Sequence, residues 1–105
     1  MLNRPGIVGT HSPLILVVTV RLSSGASGPI YVGQSAIQGT LAIKSELDGY
    51  PVPHDGPQPE WTVSLWDTRS DTDDPVDTMQ GTAVPTLIDA RRIAEMMDNY
   101  LRDNR

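Results

Sequence analysis

The strongest constraint on the fold is an apolar stripe near the end of the chain. The spacing of Thr86 and Asp89 is that of a capping box, which predicts a helix over residues 86–103. Apolar side chains recur through it at helical spacing: Leu87, Ala90, Ile93, Ala94, Met97 and Leu101. A lone amphipathic helix cannot bury its stripe, so a second layer of structure must cover it.

That second layer is predicted to be a sheet. Residues 14–22 are dense in Val and Ile without a helix breaker, and residues 61–67 alternate between apolar and polar side chains. Shorter strands are predicted at 29–33, in a hairpin with the first strand, and at 79–84, at an edge. The predicted fold class is α+β: an antiparallel sheet of three to five strands with one long C-terminal amphipathic helix packed on one face.

The segment 35–48 supports two interpretations. Ser35 and Gln38 have capping-box spacing, which favours a helix. However, Gly39 would then lie inside the helix, at a cost of about 1 kcal/mol relative to alanine. Alternation over residues 40–47 favours a strand slightly, so we expect a strand there and keep the helix as the alternative.

Length and charge limit the class of protein. A chain of 105 residues predicts one domain, 1–105, with residues 1–13 as a loose N-terminal arm. The net charge of −5, without a basic stripe, argues against nucleic-acid binding. The apolar run 13–20 is too short to cross a bilayer, and its weakly basic flank disfavours a signal peptide. We expect a cytoplasmic protein that binds neither nucleic acid nor membrane.

Five aspartates fall within a short segment: Asp67, Asp71, Asp73, Asp74 and Asp77. Carboxylates are ligands that calcium prefers, but Pro75 interrupts the run, and the glycine and glutamate of an EF-hand loop are missing. The segment therefore predicts a solvated turn without a metal. An acidic decoy that mimics nucleic-acid phosphates is an alternative function, although Arg69 interrupts the negative charge.

An enzyme or ligand-binding domain is a further alternative. Tyr50, His54 and Asp55 belong to the proline-rich segment 48–59, where a pocket under the loop would bring them together. The chain has no G-x-S-x-G elbow, no H-E-x-x-H motif, no phosphate-binding glycine loop and no cysteine. We therefore expect no catalytic residue and no cofactor.

The two tryptophans are the most informative residues for function. At a spacing of five on one strand, Trp61 and Trp66 point to opposite faces, and Trp61 belongs with the core. The second face is predicted to carry an apolar patch of Trp66, Ile15, Val17 and Tyr31. Such patches often mark interfaces, so we expect a non-enzymatic protein–protein interaction module that binds another protein or itself, most simply as a homodimer. In the alternative, the N-terminal arm or the proline loop covers this face.

The C-terminal part resembles small proteins encoded by actinobacteria and their phages. In those proteins a strand similar to Val63–Asp67 leads through a variable polar loop to a helix whose start is similar to Pro85–Ala94. The resemblance covers less than half of the chain, and the cysteine pair of some of those proteins is absent here. It implies a small accessory protein, of a kind that phages also encode, and it assigns no catalytic residue. A phage protein that modulates a host factor would fit the interaction module expected above.

Overall fold

The computed structural model describes residues 12–22, 25, 27–49, 55–56 and 58–104. Its elements are, in chain order, β1 (Leu14–Arg21), β2 (Ser27–Gly33), α1 (Ala36–Asp48), β3 (Glu60–Asp67), β4 (Asp77–Gly81) and α2 (Leu87–Asp103). The strands form one antiparallel sheet in the order β2-β1-β3-β4. The predicted α+β class is confirmed, with both helices on the same face of the sheet.

The core lies between this face and the helices, and it follows from the alternation of side chains along the central strands. Every second residue of β1 and β3 is buried, which gives the inner set Leu14, Leu16, Val18, Val20, Trp61, Val63 and Leu65. Ile43 of α1 and Ile93 of α2 close the core from the other side. Alternation within two strands thus decides which sheet face the helices cover.

The expected strand at 40–47 is wrong, because residues 36–48 form a helix. The hydroxyl of Ser35 accepts a hydrogen bond from the N–H of Gln38 at 3.1 Å and caps the first turn. Gly39 is buried against the sheet, where a Cβ would lie 3.2 Å from Cγ2 of Val18. The glycine that argued against a helix therefore permits its close approach to β1.

The C-terminal helix is confirmed, but its buried arc is rotated from the predicted stripe. Ala90 and Ile93 are buried as expected, whereas Met96, which falls off that stripe, is also buried. Leu87 is 84% exposed. At 100° per residue, the observed arc is displaced toward Met96 and Tyr100, which leaves Leu87 at its margin.

The edges of the sheet agree with the sequence in kind and differ in bounds. The hairpin of β1 and β2 is antiparallel as predicted, with a register irregularity between Val18 and Thr19. The expected edge strand at 79–84 forms as β4, over Asp77–Gly81. Across the described residues, neither helix combines the length and apolar character that a bilayer crossing requires.

Candidate functional site

The two tryptophans lie on opposite faces of β3, as the alternation predicts. Trp61 is 3% exposed on the inner face, where its Nε1 donates a 2.8 Å hydrogen bond to the carbonyl of Ala83. Its ring lies so close to Gly81 of β4 that a Cβ there would approach within 2.2 Å. Trp66 is half-buried and lies on the other face of the strand.

We call this other face of the sheet the open face, since both helices pack against the inner one. At one end of it, Trp66 of β3 is the cross-strand partner of Ile15, and Val17 is the partner of Val32 on β2. We call these four residues the apolar patch. Val32 is 62% exposed, and the other three side chains are half-buried. The patch therefore crosses three neighbouring strands and has solvent access at its β2 end.

The predicted position of Tyr31 on the open face is wrong. Tyr31 is the partner of Val18, so its side chain belongs to the inner face, where its ring lies against Gly39. Its hydroxyl accepts a 3.1 Å hydrogen bond from the N–H of Ser35. A hairpin with an irregular loop does not reveal its register in the sequence, and a shift of one residue exchanges the faces. Val32 occupies the place expected for Tyr31.

The opposite end of the open face is polar. A shallow groove of about 590 Å³ is lined there by hydroxyl and amide side chains, by Arg21 and Glu60, and also by Trp61 and Gly81. The guanidinium of Arg21 donates to the carboxylate of Glu60 in an exposed ion pair across β1 and β3. Surface pairs of this kind contribute little to stability. The open face thus joins an apolar patch to a polar surface whose two charges neutralise each other.

A buried carboxylate at the end of β3 is the polar feature that sequence reasoning missed. The side chain of Asp67 is only 6% exposed. Its oxygens accept hydrogen bonds from the N–H and the guanidinium of Arg69, and from the hydroxyl of Tyr100 at 2.7 Å. Its inward position could have been read from the alternation 61, 63, 65, 67, but the aspartate-rich context hid it.

These hydrogen bonds shift the pKa values of Asp67 and Tyr100. The hydrogen bonds from Arg69, followed by the one from Tyr100, hold the pKa of the Asp67 carboxyl far below its usual range. Hydrogen bonding to that carboxylate, with burial, raises the pKa of Tyr100. The donors to Asp67 belong to the following turn and to α2. We therefore interpret Asp67, Arg69 and Tyr100 as a polar contact that fixes α2 to the sheet, and we call it the helix–sheet lock.

The other four aspartates of this run lie in the turn after β3 or, in the case of Asp77, at the first residue of β4. Asp71, Asp73, Asp74 and Asp77 are all exposed. Within the part of the chain that the structure describes, no group of three acidic or histidine side chains is placed to hold a metal ion. The hydroxyls of Ser70 and Thr72 order the turn through a mutual 3.0 Å hydrogen bond. These four carboxylates come from one short segment of the chain, and other exposed carboxylates lie on α2, among them Asp98 and Asp103.

A second cavity lies where the proline-rich segment rejoins the sheet. It measures about 330 Å³ and has a mainly apolar lining: Leu47, Gln58, Pro59, Thr82, Ala83 and Val84. Of the three side chains predicted for a pocket here, Asp55 is exposed, and Tyr50 and His54 lie outside the described residues. Of the predicted N-terminal arm, 1–13, residues 1–11 lie outside them as well, whereas Ser12 and Pro13 are described.

Comparison of the chain with models of protein families, with curated proteins and with solved structures found no significant match.

Proposed function

We propose that this protein is a non-enzymatic protein–protein interaction module that binds through the apolar patch on its open face. The observation that supports this function best is the position of the patch, on the sheet face opposite both helices. Trp66 gives the patch an aromatic member, and polar side chains border it along the same strands. Apolar surfaces with an aromatic centre and a polar rim are typical of protein interfaces.

A second copy of the chain is the partner that the charge distribution favours. The chain carries a net charge of −5, but the charged residues of its strands on the open face are Arg21 and Glu60, which pair with each other. Two open faces can therefore meet without the like-charge repulsion that the rest of the surface would produce. A twofold contact would place the same patch on both copies, with the sheets about 10 Å apart.

The resemblance of the C-terminal part to accessory proteins of actinobacteria and their phages suggests a host protein as the other partner to test. A host protein would dock on the same patch, so the variants that break the homodimer would also prevent its capture. The two possibilities can be separated, because a homodimer forms in purified protein and a complex with a host protein does not.

The test compares two exposed apolar residues on different surfaces. Val32→Asp places a charge in the patch, and Ile88→Asp is the matched control on α2, where the side chain is also exposed. Light scattering and sedimentation over a range of concentrations measure the mass of each protein. We expect wild type and Ile88→Asp to associate as dimers and Val32→Asp to be a monomer.

Two results would contradict the proposal. Equal association of all three proteins would place the contact elsewhere, and monomeric wild type that captures no host protein would exclude the patch as an interface. Trp66→Ser adds a second variant in the patch, and its folding is checked by circular dichroism because Trp66 is half-buried.

A ligand-binding domain is a second candidate function, which the 330 Å³ cavity beside Pro59 favours. Its mainly apolar lining fits a small apolar ligand. Fluorescence of anilinonaphthalene sulfonate tests it, with Ala83→Trp to fill the cavity and Val32→Asp to remove the competing patch. Loss of dye binding in Ala83→Trp alone would support the cavity; loss in Val32→Asp alone would exclude it.

A further inference from the structure

β4 is a five-residue edge strand that contains no proline, lysine or arginine. Among the described elements, only β3 pairs with it, and Asp77, Thr78 and Gln80 are exposed. The other edge strand, β2, contains Pro29, which has no N–H to offer a further strand. Proline, lysine and arginine are the residues that commonly block an edge, and β4 has none of them. Among the described residues no strand pairs with the outer side of β4, and of its N–H groups that of Thr78 already donates to the carboxylate of Asp77.

The turn before β4 gives this edge a negative end. Its exposed carboxylates are Asp71, Asp73, Asp74 and Asp77, and none of them takes part in an ion pair with the described residues. The nearest cation in sequence is Arg69, whose guanidinium is engaged by the buried carboxylate of Asp67. Asp77 accepts a 2.8 Å hydrogen bond from the N–H of Thr78, which holds its negative charge at the start of the strand.

We propose that β4 binds an extended segment of a partner protein, with lysine or arginine at the end of that segment beside the acidic turn. The segment adds a fifth strand, and its main-chain hydrogen bonds to β4 supply affinity. Attraction between its basic end and the four carboxylates fixes its direction and register. Because the whole sheet is antiparallel, the added strand runs opposite to β4, and its basic residues lie at its C-terminal end.

A second copy of the chain lacks the basic end that this edge favours. An antiparallel twofold pairing of two β4 strands would place Gly81 of one copy beside the acidic turn of the other, and β4 contains no lysine or arginine. The edge and the open face therefore select different partners, the first by charge and backbone pairing and the second by apolar contact.

The test uses three synthetic peptides and isotope-labelled protein. The first peptide is acetylated, alternates threonine and valine over six residues and ends in two lysines. The second ends in two glutamates instead. The third is the lysine peptide with alternate backbone nitrogens methylated, which removes its ability to pair as a strand.

Amide resonances of β4 report the result. We expect the lysine peptide to shift the resonances of residues 77–81, and to do so more weakly as salt is added. We expect the glutamate peptide to bind about tenfold more weakly, and the methylated peptide not to shift these resonances. The peptides leave the protein unchanged, so these comparisons do not depend on the folding of a variant.

Variants of the protein complete the test. Asp73→Asn combined with Asp74→Asn should weaken the lysine peptide about threefold to tenfold. Asp98→Asn combined with Asp103→Asn removes two exposed carboxylates of α2 and should leave binding unchanged. Gln80→Pro should abolish binding while the resonances of β1 keep their positions.

Three results would overturn the proposal: no shift at millimolar peptide, equal binding of the lysine and glutamate peptides, or shifts centred on the apolar patch. Val32→Asp separates this edge from the proposed function. If the edge binds as proposed, that variant takes up the lysine peptide like wild type, whether or not the open face forms a dimer.

Discussion

The hydroxyl of Tyr100 in α2 donates a 2.7 Å hydrogen bond to the carboxylate of Asp67 at the end of β3. The two residues are 33 positions apart, and Arg69 holds the same carboxylate from the following turn. One buried anion therefore fixes the C-terminal half of the helix against the sheet. Hydrogen bonds to charged groups are stronger than those between neutral groups, so this contact should dominate the polar stabilisation of α2.

Tyr100→Phe should lower the midpoint of guanidinium unfolding, because it removes one donor from the buried Asp67 carboxylate. Tyr31→Phe is the matched control, since that hydroxyl accepts only a neutral backbone N–H at 3.1 Å. We expect the larger decrease for Tyr100→Phe. If the two variants unfold at the same denaturant concentration, the contribution of the helix–sheet lock is contradicted.

The stability difference between wild type and Asp67→Asn should depend on pH. The pKa of Asp67 is depressed in the folded state, whereas an unfolded aspartate titrates at about 3.9. The ionised carboxylate therefore stabilises the fold fully above about pH 5, and this stabilisation is lost as the pH falls through 4 toward the folded pKa. The difference between the denaturant midpoints of the two proteins should become smaller from pH 7 to pH 4 and smaller again at pH 3. A constant difference over this range would disprove the assignment.

At alkaline pH, the hydrogen bond between Tyr100 and Asp67 gives the opposite pH dependence of stability, because its contribution is lost as the pH rises. The pKa of Tyr100 is raised in the folded state, so its hydroxyl contributes stability below about pH 10 and loses it as the pH rises further. Absorbance titration of the phenolate measures this directly. The Asp67→Asn variant should bring the titration of Tyr100 back toward lower pH.

Gly81→Ala should destabilise the protein by about 1–3 kcal/mol, because a Cβ at this position would meet the ring of Trp61 at 2.2 Å. Gly28→Ala is the control in β2, where a Cβ would meet no atom within 4 Å. That change should stay within about 0.5 kcal/mol of wild type. Thermal and denaturant unfolding measure both variants, and equal effects would contradict the close packing of Trp61 on β4.

The rotated arc of α2 can be checked with two alanine variants. Met96→Ala removes a buried side chain and should cost about 2 kcal/mol or more. Leu87→Ala removes a side chain that is 84% exposed and should cost less than about 0.5 kcal/mol. The periodicity of the sequence alone predicts the reverse order, so denaturant unfolding of the pair distinguishes the two.

The sequence predicted the parts of the fold in which a local pattern has one interpretation. Alternation placed Trp61 inward and Trp66 outward, and the capping box at Thr86 set the start of α2. The prediction of a strand at 40–47 was wrong because Gly39, considered in isolation, counts against a helix. Gly39 allows α1 to approach Val18 of β1 closely, and a local sequence pattern cannot show such a contact.

The structure agrees in part with the sheet face that the sequence predicted for the patch residues. Ile15, Val17 and Trp66 share one face because they belong to two strands whose alternation is regular. Tyr31 was misplaced since its register depends on an irregular hairpin, and Val32 took its position. Asp67 was missed because its partner Tyr100 comes from a distant helix, and no pairwise spacing in the sequence links the two.

The central position of β1 has a consequence during synthesis. Val18 pairs with Val63, which leaves the ribosome 45 residues later. At 5–20 residues per second, roughly 2–9 s pass in which the edge of β1 that pairs with β3 is unpaired and the apolar residues on both faces of β1 lack their final contacts. Over that interval β2 and α1, which are synthesised before β3, are the neighbours that can cover the apolar residues of β1. The early hairpin and helix therefore limit the exposure of the central strand until β3 pairs with it.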